Sequence, residues 1–315
     1  MPVIAFDLGG TKLSTALFSD EGQILFLTSY NLDKRAGKEV GELIIRQAGQ
    51  TLQIAREKNL TVSAIGIGIP GIAHAQTGTV WAPNIPGWDD YPLRKELEDH
   101  FRNNKISIRI ESDRACYILG EQWKGNAANC RDAIFLSVGT GIGAGILVNG
   151  QILRGAHDIG GAIGWLALDN HYHDKYRACG CFEYNASGQG LGFIASALLN
   201  TGNFKESILA RNQQPLSSRE IFTAYHSNDP LAVEVINNAI AYWGKAVANL
   251  VSLFNPEKII FGGGVFGPAL AFLDRIYAEA IKWAQPISIR QVQLEGSALG
   301  HEAGLYGAGW LALNE

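Results

Sequence analysis

Short apolar runs separated by glycine turns occupy two stretches of the chain, and helix-period stripes occupy others. Val3-Ile-Ala-Phe6 is a continuous apolar run, the pattern of a strand buried on both faces. Asp7-Leu-Gly-Gly-Thr-Lys12 turns it into a second strand-like run, Leu13 to Phe18, and Asp20-Glu-Gly22 leads to a third, Gln23 to Thr28. The order returns at Ala133 to Val138, through the glycines from Gly139 to Gly145, into Ile146-Leu-Val and the hairpin signal Asn149-Gly150. A further strand, Lys258 to Phe261, ends in Gly262-Gly263-Gly264. Lys38 to Lys58 carries Val40, Ile44, Ala48, Leu52 and Ala55 close to an i,i+4 stripe, which predicts a helix. Leu231 to Phe254 does the same through Val235, Ile236, Ala239, Ile240, Trp243, Val247 and Leu250, and stops at Asn255-Pro256. Gly300 to Leu313 is a third helix, rich enough in alanine and glycine to pack closely, and Ala115 to Trp123 a fourth. The polar stretch from Lys205 to Arg219 reads as a surface insertion. Strand triplets interleaved with helices predict an α/β fold.

The two glycine units look like copies. Asp7-Leu-Gly-Gly-Thr followed by Gly22-Gln-Ile-Leu25 matches Ser137-Val-Gly-Thr-Gly followed by Gly150-Gln-Ile-Leu153. An identical tetrapeptide in the same order of elements reads as internal duplication. Gly141 to Gly145 has the look of a dinucleotide loop, but that loop must open a helix, and here both flanks are strands. What remains is a hairpin: an ordinary one, or one whose glycines let backbone N–H groups approach an anion.

Composition narrows the function. Glycine makes up 37 of 315 residues, against a usual share of about 7%. The 26 basic and 30 acidic residues nearly balance, with no basic tract, which excludes a nucleic-acid partner held by phosphate neutralisation. No apolar run reaches the roughly 20 residues a membrane helix needs, and the N-terminus has no signal-peptide pattern. Four cysteines make no disulfide framework in a chain this long, and a reducing cytoplasm is expected.

Taken in order, these motifs resemble those of the ROK family (repressor, open reading frame, kinase) of the sugar kinase, actin and heat-shock chaperone superfamily. Asp7 to Lys12 is similar to its first phosphate motif, and Ser137 to Gly143 to its second. Gly66-Ile-Gly-Ile-Pro-Gly71, Thr77-Gly-Thr and Ala82 to Trp88 look like the sugar-side loop, and Glu111-Ser-Asp-Arg-Ala115 holds the position of the catalytic aspartate. Ile260 to Gly264 resembles the adenosine motif, and Leu299 to Ala308 the closing helix. The resemblance implies duplicated ribonuclease H-like, actin-like ATPase lobes around a cleft that holds ATP and sugar. It implies a small N-terminal α/β domain over 1–115 with 300–315 packing back on it, a large one over 116–299, and a homodimer as common in the family. The family's repressors carry an N-terminal helix-turn-helix, and this chain starts directly in a strand, which disfavours that branch.

Within that resemblance each residue has an expected role. Gly9, Gly10, Thr11, Gly139, Thr140 and Gly141 would present backbone donors to phosphates, and Gly262, Gly263 and Gly264 bare backbone to adenosine. The alternative for the triple glycine is a simple turn. Asp7 would hold Mg²⁺ through water, and Lys12 would reach a phosphate or sit on a strand surface. Asp113 would be the general base; its alternative is a cap on the following helix, which Ser112 could also supply. Gly71, Asn84, Ser112, Asp113, Trp165 and Glu183 would face the acceptor.

The acceptor site departs from the family. Its Asn-Asp pair reads Ser112-Asp113, and its Gly-Glu-x-Gly-His reads Gly161-Ala-Ile-Gly-Trp165, so a glutamate and a histidine are missing. Each lost hydrogen bond is worth ~1–3 kcal/mol in a desolvated site. A modified, deoxy or amino sugar, or a cyclitol, suits fewer polar contacts; alternatively water or His157 fills the gap. Only Cys181 remains of the family's three zinc cysteines. Cys179 and Cys181 with His171 and His173 offer two sulfurs and two nitrogens, but one-residue spacers are shorter than the usual two to four, which weighs against zinc. The expected activity is ATP- and Mg²⁺-dependent phosphorylation of a sugar-like hydroxyl; the rival is a sugar sensor on the same fold.

Overall fold

The computed structural model describes residues 1–212 and 215–314. The chain divides into two compact units, Met1–Asn129 with Ile152–Gly160 and Ala298–Glu315, and Cys130–Gln151 with Gly161–Ser297.

The first unit is built on a sheet of β1 (Val3–Leu8), β2 (Lys12–Phe18), β3 (Ile24–Asn31), β4 (Ala64–Ile69) and β7 (Ser107–Ser112), ordered β3-β2-β1-β4-β7. Between these in sequence lie α1 (Lys38–Glu57), the short pair β5 (Ile72–Ala73) and β6 (Val80–Trp81), and α2 (Leu93–Phe101). After β7 comes α3 (Asp113–Lys124). β1 runs antiparallel to β2 and parallel to β4, so it is central and buried on both faces. Its side chains alternate between two cores. Ile4, Phe6 and Leu8 join Val40, Ile44, Ala48 and Leu52 of α1, whose expected stripe is buried throughout. Val3 and Ala5 join Cys116 of α3 and Leu305, Ala308 and Ala312 of the closing helix.

The closing helix explains the boundary of this unit. The chain stays in it to Asn129, past the end expected at 115, because α3 packs along Ala303–Asn314. That contact is backbone to backbone: a Cβ on Gly307 would run into the Cys116 carbonyl. Arg109 caps the helix end, donating from Nη1 to the carbonyls of Leu311 and Ala312, both at 2.9 Å. Glu121 accepts from the backbone N–H of Leu299 at 3.2 Å before the helix begins. The segment Ile152–Gly160 is tied in by Arg154 Nε, 2.6 Å from Glu111 Oε2, and by Ala75 N, which donates to Asp158 Oδ2 at 3.1 Å.

The second unit repeats the sheet. Its strands β8 (Ala133–Val138), β9 (Ile142–Val148), β10 (Gln151–Ile152), β11 (Lys258–Gly262) and β12 (Gln293–Gly296) are ordered β10-β9-β8-β11-β12. β8 runs antiparallel to β9 and parallel to β11, as β1 does to β2 and β4. The burial pattern of residues 1–10 recurs residue for residue at 131–140, so the duplication read from the tetrapeptides extends to the packing. Around the sheet are α4 (Cys181–Ala186), α5 (Gly188–Asn200), α6 (Ser218–His226), α7 (Pro230–Phe254) and α8 (Leu273–Ala280); the closing helix is α9. α7 starts where Asp229 Oδ1 accepts from Ala232 N at 3.0 Å, with Pro230 in its first turn, and stops at Asn255 in the left-handed region (φ 44°). All seven residues of its expected stripe are buried.

Three expectations change. Gly143 and Gly145 lie inside β9, leaving only Gly139 to Gly141 as the turn. Gly66-Ile-Gly-Ile69 is not loop but most of the fully buried strand β4, and a Cβ on Gly66 would strike the Ala308 carbonyl. The stretch from Lys205 to Arg219, of which residues 213 and 214 lie outside the described residues, is not wholly surface. Leu209 and Leu216 are buried, and Ser207 Oγ donates to Asp229 Oδ1 at 2.9 Å.

Candidate active site

In the first unit the site grows from the end of β1 and the start of α3. Asp7 lies near the end of a central strand, with the Gly9-Gly10-Thr11 turn beyond it held by Gly9 N donating to Lys12 O at 2.8 Å. Asn84 approaches this turn, its Cβ 3.5 Å from where a Gly10 Cβ would stand. Thr11 and Lys12 are exposed. No hydrogen bond to the Asp7 carboxylate occurs among the described residues. Burial, with repulsion from Asp113 second and against a smaller pull from Lys12, pushes its carboxyl up to about 7.

The wall against Asp7 was not foreseen in the sequence. A Cβ on Gly304 would stand 2.9 Å from both Cγ and Oδ1 of Asp7, so α9 reaches the carboxylate only because that position is glycine. The signal available was the glycine content of α9, which indicated close packing without saying against what.

Asp113 opens α3, but the cap is Ser112, whose Oγ accepts from Ala115 N at 3.3 Å. Asp113 Oδ1 accepts from Arg114 N at 2.7 Å, and Oδ2 from the Tyr117 hydroxyl at 3.3 Å. Burial raises the carboxyl above its usual range, against the Arg114 charge and these two bonds. Tyr117 stands one helical turn on from Asp113, an i,i+4 relation visible in the sequence and not read there. Gly71 lies against the Trp81 carbonyl, and its own carbonyl accepts from Arg114 Nη2 at 3.4 Å.

In the second unit the glycine turn is braced from behind. Gly139 N donates to Gly141 O at 2.9 Å, and Gly188 N, opening α5, donates to Gly139 O at 2.7 Å. Ile142 N donates to Glu183 Oε2 at 2.6 Å, so this carboxylate clamps the start of β9. A Cβ on Gly141 would stand 2.6 Å from that same oxygen. Burial raises the Glu183 carboxyl and the Ile142 bond draws it down. Thr140 is exposed, and nothing lies within 4 Å of a Cβ placed on Gly139. The triple glycine divides: Gly262 packs on the Phe135 ring, Gly263 (φ +87°) on the Val138 carbonyl, and Gly264 alone faces open space. Packing therefore requires two of the three, whatever binds there.

Trp165 sits in the single turn Ile163–Trp165 and is 58% exposed. Cys181 is buried, Cys179 partly so, and His171 and His173 are exposed. The structure does not assemble these four: among the described residues there is no group of three or more His, Cys, Asp or Glu able to hold a metal ion. His157 is exposed in the Ile152–Gly160 segment.

A model of the ROK family matches residues 3–315. The chain belongs to the ROK family. Its sheets, β3-β2-β1-β4-β7 and β10-β9-β8-β11-β12, are the repeated sheets of the actin-like ATPase fold. This ROK protein is 31% identical to a glucokinase of Halalkalibacterium halodurans, over 98% of this chain and 94% of that one. It is similar to the crystal structure of a ROK hexokinase from Thermus thermophilus, with a TM-score of 0.81 and 30% identity over 99% of this chain and 97% of that one. It is also similar to a ROK glucokinase from Streptomyces griseus in complex with glucose and AMPPNP, with a TM-score of 0.76 and 28% identity over the whole of both chains. No helix among the described residues is long and apolar enough to cross a membrane.

Proposed function

We propose that this ROK protein transfers the γ-phosphoryl group of ATP to a hydroxyl of a small sugar or sugar-like molecule. The observation that carries the reading is Asp113: a carboxylate at the mouth of α3, held at both oxygens and pushed by burial above its usual range, as suits a proton acceptor. As the acceptor oxygen attacks the γ-phosphorus, Asp113 takes its proton, the bond from phosphorus to the bridging oxygen breaks, and ADP leaves. Gly9, Gly10, Thr11, Gly139, Thr140 and Gly141 serve as backbone donors to phosphate oxygens, and Gly264 as the open glycine on the adenosine side. Gly71, Asn84, Ser112, Trp165 and Glu183 line the acceptor, Glu183 while also clamping Ile142.

Asp7 suits magnesium. It is an oxygen donor with no hydrogen-bond partner among the described residues, beside a second carboxylate, and Mg²⁺ is commonly held by one or two carboxylates with several waters retained. When bound, the ion neutralises charge on the phosphate oxygens. The repulsion that Asp7 and Asp113 feel in the free protein is the cost that a cation removes.

The test is ADP release with ATP and Mg²⁺ across hexoses, amino sugars, deoxy sugars and cyclitols, beside the Asp113→Asn variant. The expected result is turnover of at least one acceptor, reduced about 10²- to 10⁴-fold in the variant. Turnover no higher than that of Asp113→Asn for every acceptor refutes the kinase reading in favour of a sugar sensor.

A further inference from the structure

Within the second unit lies a cleft of about 330 Å³ whose lining includes Trp165, Asp169, Tyr172, Tyr176 and Arg177. Its aromatic residues are arranged unequally. Trp165 is 58% exposed and Tyr172 70%, whereas Tyr176 is buried. The Tyr176 ring stands edge-on to Tyr172 at 6.5 Å, and its hydroxyl donates to Asp169 Oδ2 at 2.7 Å. The Tyr242 hydroxyl donates to the same oxygen at 3.3 Å. These bonds hold the Asp169 carboxyl below its usual range, so the cleft keeps a fixed ionised acceptor at one side, with exposed Arg177 and His171 also on its lining.

Such a lining matches the two surfaces of a ring. Exposed aromatic faces stack on an apolar ring face, and charged groups at the margin meet hydroxyls at its edge. Ligand clefts span about 300–1,000 Å³, and this one, at the small end, suits a single ring. It also adjoins the acceptor residues by backbone contact. A Cβ on Gly164 would stand 3.0 Å from Glu183 Oε2; Trp165 follows Gly164, and its Cα lies 2.6 Å from where a Gly180 Cβ would be. Gly164 thus borders Glu183, and the next residue, Trp165, lines the cleft.

We propose that this cleft is a subsite for a second ring carried by the acceptor. The phosphorylated molecule is then a glycoside, and its second ring, a sugar or an aryl group, lies against Trp165 and Tyr172. The inference rests on the kinase reading and adds the class of acceptor to it. The replacement of the family's sugar histidine by Trp165 becomes a gain of ring-binding surface beside the loss of a polar contact.

The test compares kcat/KM, with ATP and Mg²⁺, for each parent hexose, its disaccharides and its phenyl glycoside in wild type, Tyr172→Ala and Tyr172→Phe. The same compounds are titrated calorimetrically without nucleotide. The expected result is a two-ring compound favoured at least about tenfold over its parent, that ratio falling to near one in Tyr172→Ala and surviving in Tyr172→Phe, which keeps the ring. Disaccharide and phenyl arms distinguish a sugar from an aryl second ring. A smaller preference for every two-ring compound, or a preference that Tyr172→Ala leaves intact, overturns the subsite while leaving the kinase standing. If no compound is phosphorylated, tenfold tighter calorimetric binding of a two-ring compound, lost in Tyr172→Ala, retains the subsite and rejects the kinase; no such binding rejects both.

Discussion

Replacing Asp7 by asparagine keeps the shape of the side chain and removes one titration. In the folded protein this carboxyl is raised from 3.8 to about 7, chiefly by burial and next by Asp113. A carboxyl raised on folding contributes stability that is complete below its unfolded value and is lost as pH climbs through its folded value. The loss therefore spreads over the interval from about 4 to about 7, at about 1.4 kcal/mol per pH unit, or about 4 kcal/mol in all. Asp7 keeps part of its surface, so this is an upper value. At about 2–4 °C per kcal/mol for a unit of this size, melting temperatures of the two proteins should separate by up to about 8–16 °C at alkaline pH. The assay is thermal unfolding without nucleotide or divalent cation, at constant ionic strength, across that interval. Asp113 and Glu183 are also raised, but they are present in both proteins and largely cancel in the difference. The expected result is Asp7→Asn more stable than wild type at neutral to alkaline pH, the gap closing towards pH 4. Parallel curves for the two proteins would refute the claim that Asp7 is buried at an electrostatic cost.

Gly304→Ala should lower stability by no more than about 2 kcal/mol, because about 1 kcal/mol of helix propensity offsets part of roughly 1–3 kcal/mol of crowding against Asp7. Phosphoryl transfer should nonetheless fall about 10²-fold as the carboxylate is displaced, and steady-state kinetics beside a melting curve checks both halves of that statement. Glu183→Ala should lower stability by about 1.5–3 kcal/mol through the lost bond to Ile142 N, measured by denaturant titration. Glu183→Gln, which keeps an acceptor oxygen for that N–H, should recover most of it.

The features legible in the sequence are the local ones. β1, β8 and α7 declare themselves because continuous apolar runs, period-3.6 stripes and turn residues act over a few positions. Asn255 in the left-handed region before Pro256 is a stop that residue types alone specify. Asp113 at the start of a helix, and Ser112 as one of its two eligible caps, were legible for the same reason. What escaped depends on partners far away in the chain. Gly66 in β4 signals a turn until Ala308 is found lying on it. The bond from Arg154 to Glu111 and the approach of Gly304 to Asp7 join positions that no local pattern connects. The triple glycine was ambiguous from residue type because packing against Phe135 and Val138 calls for glycine as firmly as a ligand would.

The last helix gives the protein an unusual order of assembly at the ribosome. Domains ordinarily fold in sequence as the nascent chain emerges, the N-terminal one first. Here the second unit is complete once Ser297 has been made, while the first still lacks α9. Until α9 arrives, Val3, Ala5, Ala16 and Phe18 have only α3 against them and lack Leu305, Ala308 and Ala312, and Arg109 and Glu121 await the helix they hold. One face of β1 is thus covered by α1 early, and the other is completed only by α9. A chain stopped before α9 would carry a finished second unit joined to a sheet with one apolar face incompletely covered, a species fit for chaperone capture or aggregation.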